Sequence, residues 1–180
     1  TACSASLVAF HSAACALQRR ECGAHLVAGV NLMLLQASSV GMAVAGMTSV
    51  TGRCHTFDSR ADGFCRGEGC SAVSIRGDDD GTVVLRGSAV RQDGRSASLT
   101  APNGQAQQGL LRAALDDATV VVGELVLTEA HGTGTALGDP IEAGSLAGAV
   151  LSGRATTGAP LSVGGVKANI GHAELAAGMT

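Results

Sequence analysis

Four side chains in this 180-residue sequence could take part directly in covalent chemistry. Cys3 stands just before a predicted helix, and His131 stands in a glycine-rich run. Lys167 and His172 follow a predicted strand. A thiol with two imidazoles permits covalent acyl transfer, and two neutral imidazoles can donate hydrogen bonds to a developing oxyanion or enolate. No pair of carboxylates suggests glycosidase chemistry, so acyl chemistry is the leading hypothesis.

Cys3 is the candidate nucleophile. The start of a helix favours an anion, because unpaired backbone N–H groups and the helix dipole are directed toward it. A thiol there can have its pKa lowered from about 8.5 toward neutrality, and we expect this for Cys3. The alternative is a small buried hydrophobic residue, as most single cysteines are. The other cysteines lack this context and are expected to be structural free thiols: Cys15, Cys22, Cys54, Cys65 and Cys70.

His131 lies in the run EAHGTGT at 129–135, between a predicted strand at 124–128 and a predicted helix. It would therefore stand at the carboxyl end of a buried strand, where α/β active sites usually lie. The glycines would let a ligand approach the backbone closely. Phosphate-binding and dinucleotide-binding glycine motifs do not match this run. A tight loop holding a hydrogen-bonded histidine is the alternative.

Lys167 and His172 follow a predicted strand at 161–166. They would lie at the same sheet edge as His131, and a helix is expected to begin near Glu174. Lys167 is the only lysine of the chain, which has eleven arginines. The other histidines have no comparable placement: His11, His25 and His55.

The first half of the chain predicts the elements that lead away from Cys3. Residues 4–20 predict a helix that is apolar all round and therefore buried. The following segments predict a buried strand at 26–30, a weak helix at 37–46, a long ordered loop at 48–69, and a hairpin of strands Cys70–Ile75 and Thr82–Val90 around a turn at 77–81.

The second half alternates helix and strand. A loop over 91–104 precedes a helix over 105–118. Asp139, Pro140 and Glu142 predict the N-cap, first and third positions of a helix that runs to about Leu151. With the strands at 124–128 and 161–166, this alternation predicts an α/β fold with the sheet between helices.

Composition excludes several classes of protein. Hydrophobic residues make up 46% and charged residues 15%, which does not fit a disordered chain. The 26 glycines have no period of three, so the chain is not collagen-like. A net charge of −3, no basic stripe and three aromatic residues give no support for nucleic-acid binding. No apolar run is long enough to cross a membrane, and unpaired cysteines favour a reducing, cytoplasmic compartment.

The ends of the sequence predict an internal piece of a longer protein. It opens on Thr1 without an initiator Met and ends at Thr180 within a predicted helical segment. Domain boundaries usually fall in polar, flexible linkers.

Five ordered motifs carry a resemblance to a known family. They are TACSAS at 1–6, GRCHTFDSRADGFCRGEGC at 52–70, RGSAVRQDGRSASLTAPNG at 86–104, EAHGTGTALGDPIEAG at 129–144 and VKANIGHAELAAG at 166–178. Together they closely resemble the β-ketoacyl synthase (ketosynthase) domain of type I polyketide synthases. The resemblance implies a thiolase-like α-β-α layered fold, incomplete here, with residues 1–103 ending its first half and 104–180 beginning its second.

The resemblance also implies roles for individual residues. Cys3 would take an acyl chain as a thioester, with its backbone N–H as an oxyanion donor. His131 and His172 would hold the malonyl thioester and stabilise its enolate, and Lys167 would tune the site. Thr133 and Thr135 match positions that touch the pantetheine arm, while the helix cap explains Asp139 and Glu142 better.

The implied partners are an acyl carrier protein, whose phosphopantetheine carries the substrates, an acyltransferase domain of the same synthase, and a second copy of the domain. No cofactor or metal bound by the domain itself is expected. The family's missing parts include a C-terminal glycine-rich loop, so we expect the chain alone to be inactive.

Other functions remain as alternatives at this point. A fatty-acid or polyunsaturated-acid synthase condensing domain, or a decarboxylase of the same fold, would share the motifs, although Cys3 argues against the decarboxylase. A cysteine acyl hydrolase would need only a Cys–His pair and would leave Lys167 and the second histidine without a role. A non-catalytic relic would not need the intact set.

Overall fold

The structure is a computed structural model that describes residues 1–78, 81–98, 100–155 and 159–180. Its helices and strands follow in this order: α1 (Ala5–Gln18), β1 (Ala24–Asn31), α2 (Gln36–Val44), β2 (Gly69–Arg76), α3 (Gly104–Ala118), β3 (Leu127–Glu129), α4 (Gly138–Ala149), β4 (Ser162–Gly164) and α5 (Lys167–Ile170). Short 3-10 turns lie at Val122–Glu124, Leu151–Gly153 and Glu174–Ala176.

Strands β1 and β2 pair antiparallel, from Ala24 opposite Arg76 to Asn31 opposite Gly69. Helix α1 packs on one face of this pair. The predicted strand at 26–30 and helix at 4–20 are confirmed as elements, but the expectation that both are buried is wrong. Leu26 is 76% exposed and Leu7 is 53% exposed. In the described part of the chain the sheet has two strands, and nothing covers its second face.

Strands β3 and β4 pair parallel, with Leu127 opposite Ser162 and Glu129 opposite Gly164. Helix α4 connects them and packs against α3. The small core between these elements consists of Leu146, Ala149 and Val150, with Leu111, Leu115, Val122, Leu125 and Leu161 packed around it. Because parallel strands end at the same edge, β3 and β4 deliver the residues that follow them to one place.

The hairpin predicted for residues 70–90 is wrong. The first strand forms, but its partner is β1, and residues 82–90 form no strand. This segment instead runs past the end of α3, where the backbone N–H of Ser88 donates to the Asp117 carboxylate at 2.8 Å. Its β-forming valines therefore have no pairing edge, and Val83 is 88% exposed. The turn predicted at 77–81 includes residues 79 and 80, which lie outside the described residues.

Three predicted boundaries shift in the second half. The strand expected at 124–128 begins only at Leu127, because a 3-10 turn occupies Val122–Glu124. The Arg154 guanidinium binds the carbonyl oxygens of Val122 and Leu125 there. The strand expected at 161–166 is shorter, and the helix expected near Glu174 is a single 3-10 turn.

Gly29 is a position where the fold requires a glycine. A Cβ there would lie 2.9 Å from Ser6 Cβ and 3.1 Å from the Ala176 backbone. We expect Gly29→Ala to lower the free energy of unfolding by about 1–3 kcal/mol, as overpacking does. Denaturant unfolding of the two proteins measures the difference.

The matched control is Gly23→Ala, because a Cβ at Gly23 would meet nothing within 4 Å. This substitution should change the free energy of unfolding by less than about 0.5 kcal/mol. Equal losses in both variants would contradict the close packing of β1 on α1 and on the turn near Ala176.

Candidate active site

The structure brings Cys3, His131 and His172 to one point. The Cys3 Sγ lies 3.2 Å from the His172 Nε2, and one ligand atom of each of the three residues lies within 4.8 Å of the others. The two imidazole rings meet edge to face, with centroids 5.3 Å apart and planes at 88°. Cys3 comes from the turn before α1, His131 from the loop after β3, and His172 from the segment after β4.

Burial controls the state of the Cys3 thiol. Desolvation raises its pKa above the ordinary value, more than its own backbone N–H lowers it. The charge of Glu174 adds to the increase, and the charge of Lys167 opposes it. The expectation of a lowered pKa from the helix start is therefore wrong. Cys3 lies before the N-cap Ser4 and is half-buried, so loss of water outweighs the helix dipole.

His172 is fixed by its main chain. Its N–H donates to the Cys65 carbonyl at 2.7 Å, and its carbonyl accepts from the Gly67 N–H at 2.9 Å. The Phe64 ring meets the imidazole edge to face at 5.2 Å. The residue is only 1% exposed. Desolvation, followed by the nearby His131 and Lys167, lowers the pKa of His172 to about 4. The ring is therefore neutral at physiological pH.

The surroundings of His172 also select its tautomer. Its Nδ1 is buried and has no hydrogen-bond partner among the described residues. An orphaned N–H costs more than an orphaned lone pair, so the proton belongs on Nε2. The Nε2–H then points at Cys3, which lies 3.2 Å away. His172 is therefore arranged as a hydrogen-bond donor.

The loop that carries His131 is held by Glu142 of helix α4. One carboxylate oxygen accepts the His131 N–H at 2.6 Å, and the other accepts the Gly132 N–H at 2.8 Å. Gly132 has φ +49, a left-handed conformation that suits glycine. The Thr56 hydroxyl donates to the Gly132 carbonyl at 2.5 Å. Glu142 thus fixes the direction in which the His131 side chain leaves the backbone.

Asp139 performs a similar task one turn earlier. It lies inside the first turn of α4, whose N-cap is Leu137. Its carboxylate accepts the N–H groups of Gly134 at 3.1 Å, Thr135 at 3.3 Å and Phe57 at 2.8 Å. Asp139 is 3% exposed, so these bonds compensate a buried charge.

The predicted helix cap, with Asp139 as N-cap and Glu142 at the third position, is therefore wrong. Asp139 and Glu142 bind the site loops rather than the free N–H groups of their own helix. Sequence reasoning missed this role, since an Asp-Pro-x-Glu run has a sufficient local explanation. The signal was present in the placement of both acids just after the His131 run.

His131 is also neutral at physiological pH. Although much of its surface is accessible, desolvation of the ring lowers its pKa, and the charge of Lys167 lowers it further. Glu142 and Asp139 act in the opposite direction and are weaker. Two neutral imidazoles therefore face the Cys3 thiol, and each carries one N–H that can donate.

Lys167 begins helix α5 and is 5% exposed. Desolvation lowers its pKa, while Glu129, Glu142, Cys54 and Cys3 favour its charged form, in that order of size. Glu129 also accepts the Val166 N–H at 2.7 Å, next to Lys167. Two carboxylates and two cysteines therefore partly offset the cost of burying the Lys167 charge.

Thr133 and Thr135 lie in the His131 loop, with their hydroxyl oxygens 3.4 Å apart. Thr133 is buried, whereas Thr135 lines a cavity of about 330 Å³. The rest of that cavity is formed by Phe57, Asp58, Ser59, Ala61, Ala136, Asp139, Pro140 and Ala143. A larger cavity, of about 660 Å³, lies between the loop before α3 and helix α4 and contains none of the reactive residues.

The three histidines without a predicted role lie outside the site. His11 contacts Ser88 and Cys15, His25 contacts Cys22, and His55 contacts Thr51. All six cysteines are free thiols.

Cys3, His131 and His172 have the ligand types of a soft metal ion. A metal-bound imidazole ordinarily donates its second N–H to a carboxylate or carbonyl. Among the described residues, the Nδ1 of His172 finds no such acceptor. The set therefore fits a thiol flanked by two hydrogen-bond donors better than a metal centre. No helix in the described part of the chain has both the length and the apolar character needed to cross a membrane.

Residues 1–81 match the family model "Beta-ketoacyl synthase, N-terminal domain", and residues 82–180 match "Beta-ketoacyl synthase, C-terminal domain". The chain is 48% identical to one of the phenolphthiocerol/phthiocerol polyketide synthase subunits of Mycobacterium tuberculosis, covering 99% of this chain and 8% of that protein. Another of these subunits from the same species is also 48% identical, and there the match covers 99% of this chain and 10% of the relative.

Solved ketosynthases have the same fold. An oxazolomycin ketosynthase domain from Streptomyces albus JA3453 matches with a TM-score of 0.92 and 39% identity, over 99% of this chain and 32% of the other. The ketosynthase from module 6 of the bacillaene synthase of Bacillus subtilis 168 matches with a TM-score of 0.92 and 37% identity, over 99% and 33%. The thiolase-like α/β fold expected from the motifs is confirmed. The chain spans about a third of these solved chains.

The substitution Glu142→Gln tests whether the Glu142 carboxylate positions the loop that carries His131 and raises the pKa of His131. A glutamine offers one carbonyl oxygen to the two N–H donors, so one of them loses its acceptor, and the charge that raises the pKa of His131 disappears. We therefore expect the pKa of His131 to fall further, measured by NMR titration of the imidazole. Glu124→Gln is the control, because Glu124 accepts the Val121 N–H of a 3-10 turn outside the site. An unchanged or higher pKa in Glu142→Gln would refute the assignment.

Lys167→Met tests the electrostatics at Cys3. Lys167 opposes the rise in the Cys3 pKa, so its removal should move the pH midpoint of Cys3 alkylation by iodoacetamide further upward. Peptide mass spectrometry measures the rate, with the exposed Cys70 as an internal reference. Arg19→Met, at the other end of α1, should leave the midpoint in place. A midpoint below that of an ordinary thiol would contradict the conclusion that burial is the main influence on the pKa of Cys3. A downward shift in Lys167→Met would contradict the effect assigned to the Lys167 charge.

Proposed function

Because the chain belongs to the β-ketoacyl synthase family, we propose that it carries the Cys-His-His centre of a polyketide synthase ketosynthase domain. The observation that supports this most directly is the convergence of one thiol and two neutral imidazoles, with the Cys3 Sγ 3.2 Å from the His172 Nε2. The relatives that match over nearly the whole chain are parts of polyketide synthases. Decarboxylative condensation uses each of these three groups.

The first step is acyl transfer to Cys3. The Cys3 sulfur attacks the carbonyl of an acyl-pantetheine thioester, and the new C–S bond replaces the bond to the pantetheine sulfur. The proton lost by the Cys3 thiol goes to the departing pantetheine thiol, so atoms and charges balance. Because burial raises the pKa of Cys3, the resting thiol is protected from indiscriminate reaction and loses its proton only as the C–S bond forms.

The second step forms the carbon–carbon bond. Loss of carbon dioxide from a malonyl thioester leaves an enolate, whose oxygen accepts hydrogen bonds from the two imidazole N–H groups. The enolate carbon attacks the carbonyl carbon of the Cys3 thioester, a C–C bond forms, and the C–S bond to Cys3 breaks. The Cys3 sulfur leaves as a thiolate, which takes a proton from solvent. Neutral imidazoles suit this task, because they donate without adding a buried charge.

Lys167 tunes the electrostatics of both steps in this proposal. Its charge lowers the pKa of both histidines and of Cys3. Thr133 and Thr135 contact the pantetheine arm, and the cavity beside Thr135 offers space for that arm. An acyl carrier protein delivers the substrates on phosphopantetheine, an acyltransferase domain loads the carrier, and two copies of the domain associate.

We further propose that the 180 residues need the rest of such a domain for turnover. Apolar side chains remain exposed on β1 and in the segment after it, including Leu26 at 76% and Leu34 at 84%. Surfaces of this kind usually meet another part of the protein. Cooperative unfolding of the isolated chain together with turnover of a malonyl thioester would overturn this point.

Acyl loading on the complete domain that contains this chain tests the function. The domain is incubated with an acyl-pantetheine thioester, and the adduct is mapped by peptide mass spectrometry, with Cys3→Ala as the control. We expect a stable acyl group on Cys3 that is discharged only when malonyl-carrier protein is added. His131→Ala and His172→Ala should still accept the acyl group but should lose about 100-fold or more in decarboxylation rate.

Other results would reject the proposal. A label on another residue, or no label, indicates a different chemistry or a non-catalytic chain. An acyl group that water removes from Cys3 within seconds indicates a hydrolase.

A further inference from the structure

The segment around His172 contains an ion pair that the proposed reaction does not use. Arg66 and Glu174 form a bidentate pair, through Arg66 Nε with one carboxylate oxygen and Arg66 Nη2 with the other at 3.2 Å. Their side chains are only 10% and 13% exposed. The remaining edge of the guanidinium donates to Ser39 Oγ at 2.6 Å and Ser38 Oγ at 3.2 Å, both on α2.

This pair closes a ring around His172. Arg66 forms a parallel β-bridge with His172, and Glu174 lies two residues further along the chain. Glu174 has φ +44, a left-handed conformation that is rare for a non-glycine residue. The segments of Arg66 and His172 are therefore connected twice, by the backbone bridge and by the side-chain bond between Arg66 and Glu174. The side-chain bond also holds Glu174 in its unfavourable backbone conformation.

Stability alone does not account for such a pair. Removing two charges from water costs about as much as their attraction returns, and replacing a buried pair by apolar residues is often neutral or stabilising. A buried pair that contributes little to the free energy of unfolding can instead fix the position of the neighbouring backbone, because its geometry is well defined. Here the neighbouring residue is His172, whose Nε2 lies 3.2 Å from the Cys3 Sγ.

Glu174 also acts on Cys3 through its charge, which raises the pKa of the thiol. His131 and His172 lie next to Cys3, and Lys167 and Glu174 act on it through their charge. Arg66 is bonded to this carboxylate, and because an adjacent opposite charge reduces the field of a carboxylate, we expect the guanidinium to moderate the effect of Glu174 on the thiol.

We propose that Arg66 and Glu174 are positioning residues that set His172 against Cys3, and that the Arg66 guanidinium shields the thiol from the Glu174 charge. This inference rests on the proposed function. Neither residue touches the reacting atoms, and the two act through the backbone bridge and through their paired charge.

The test compares Arg66→Gln, Glu174→Gln and the double variant in the complete domain. Each single substitution should lower the kcat of condensation by about 10- to 100-fold, as a small misplacement of a catalytic group does. The KM of the acyl substrate should change by less than about two-fold, because the pantetheine contacts are untouched. Arg76→Gln is the matched control, because Arg76 also pairs with a carboxylate, that of Asp78 at 3.3 Å, but its side chain is 49% exposed and lines neither cavity. It should leave kcat unchanged.

The pH midpoint of Cys3 alkylation distinguishes positioning from a merely structural role and does not depend on condensation. Glu174→Gln should lower the midpoint, since a carboxylate near the thiol is lost. Arg66→Gln should raise it, since the carboxylate is left uncompensated, and the double variant should lie between them. Should Arg66→Gln fail to fold, Arg66→Lys keeps the charge and should preserve the midpoint while lowering kcat.

Midpoints that move in the same direction, or that stay fixed while kcat falls, would overturn the inference. A kcat equal to that of the unsubstituted domain in both single variants would also overturn it. If the unsubstituted domain itself fails to condense, the proposed function fails, and the opposite shifts of the alkylation midpoint still decide the role of the pair.

Discussion

The site depends on the main-chain join between residues 65–67 and His172. The two hydrogen bonds of this join bring the backbones together so closely that side chains are excluded, since a Cβ at Gly67 would lie 2.9 Å from the Ile170 carbonyl. Gly171, at φ +78, makes the turn into the join. Because these main-chain bonds hold the backbone of His172, no side chain competes with Cys3 for its Nε2 among the described residues. The high glycine content of the chain has a specific use here.

The carboxylates of the site serve the backbone rather than the reaction. Glu142 and Asp139 accept N–H groups of the loops around His131, and Glu129 accepts the Val166 N–H beside Lys167. Carboxylates are strong acceptors for backbone N–H groups in partly buried places. A loop of glycines and threonines would otherwise have many conformations, so the acids supply the order that its sequence lacks. The negative charges of Glu129 and Glu142 also favour the charged form of Lys167, against the larger effect of its burial.

Sequence reasoning selected four candidate residues because each stands where an element begins or ends, and the structure brings three of them together, Cys3, His131 and His172. The alternation after residue 105 predicted parallel strands, and the motifs identified the fold. The hairpin at 70–90 was wrong because local β propensity does not select a partner, and β2 pairs with a strand about 45 residues earlier. The contacts of Asp139 and Arg66 were not predicted, for a related reason. Their partners lie 82 and 108 residues away, as in the Phe57–Asp139 and Arg66–Glu174 bonds, and no local pattern records such a contact.

The surroundings of His172 distinguish this centre from the active site of a cysteine hydrolase. In a Cys–His pair that acts as nucleophile and base, a third group orients the imidazole and raises its basicity. Here the Nδ1 of His172 contacts no acceptor in the described part of the chain, and burial, followed by the nearby His131 and Lys167, lowers the pKa of the ring to about 4. Such an imidazole is a poor base and a good neutral donor. The same cation moderates the rise in the Cys3 pKa. One buried lysine therefore favours a reactive sulfur and two uncharged donors together, which is the combination that enolate formation beside a thioester requires.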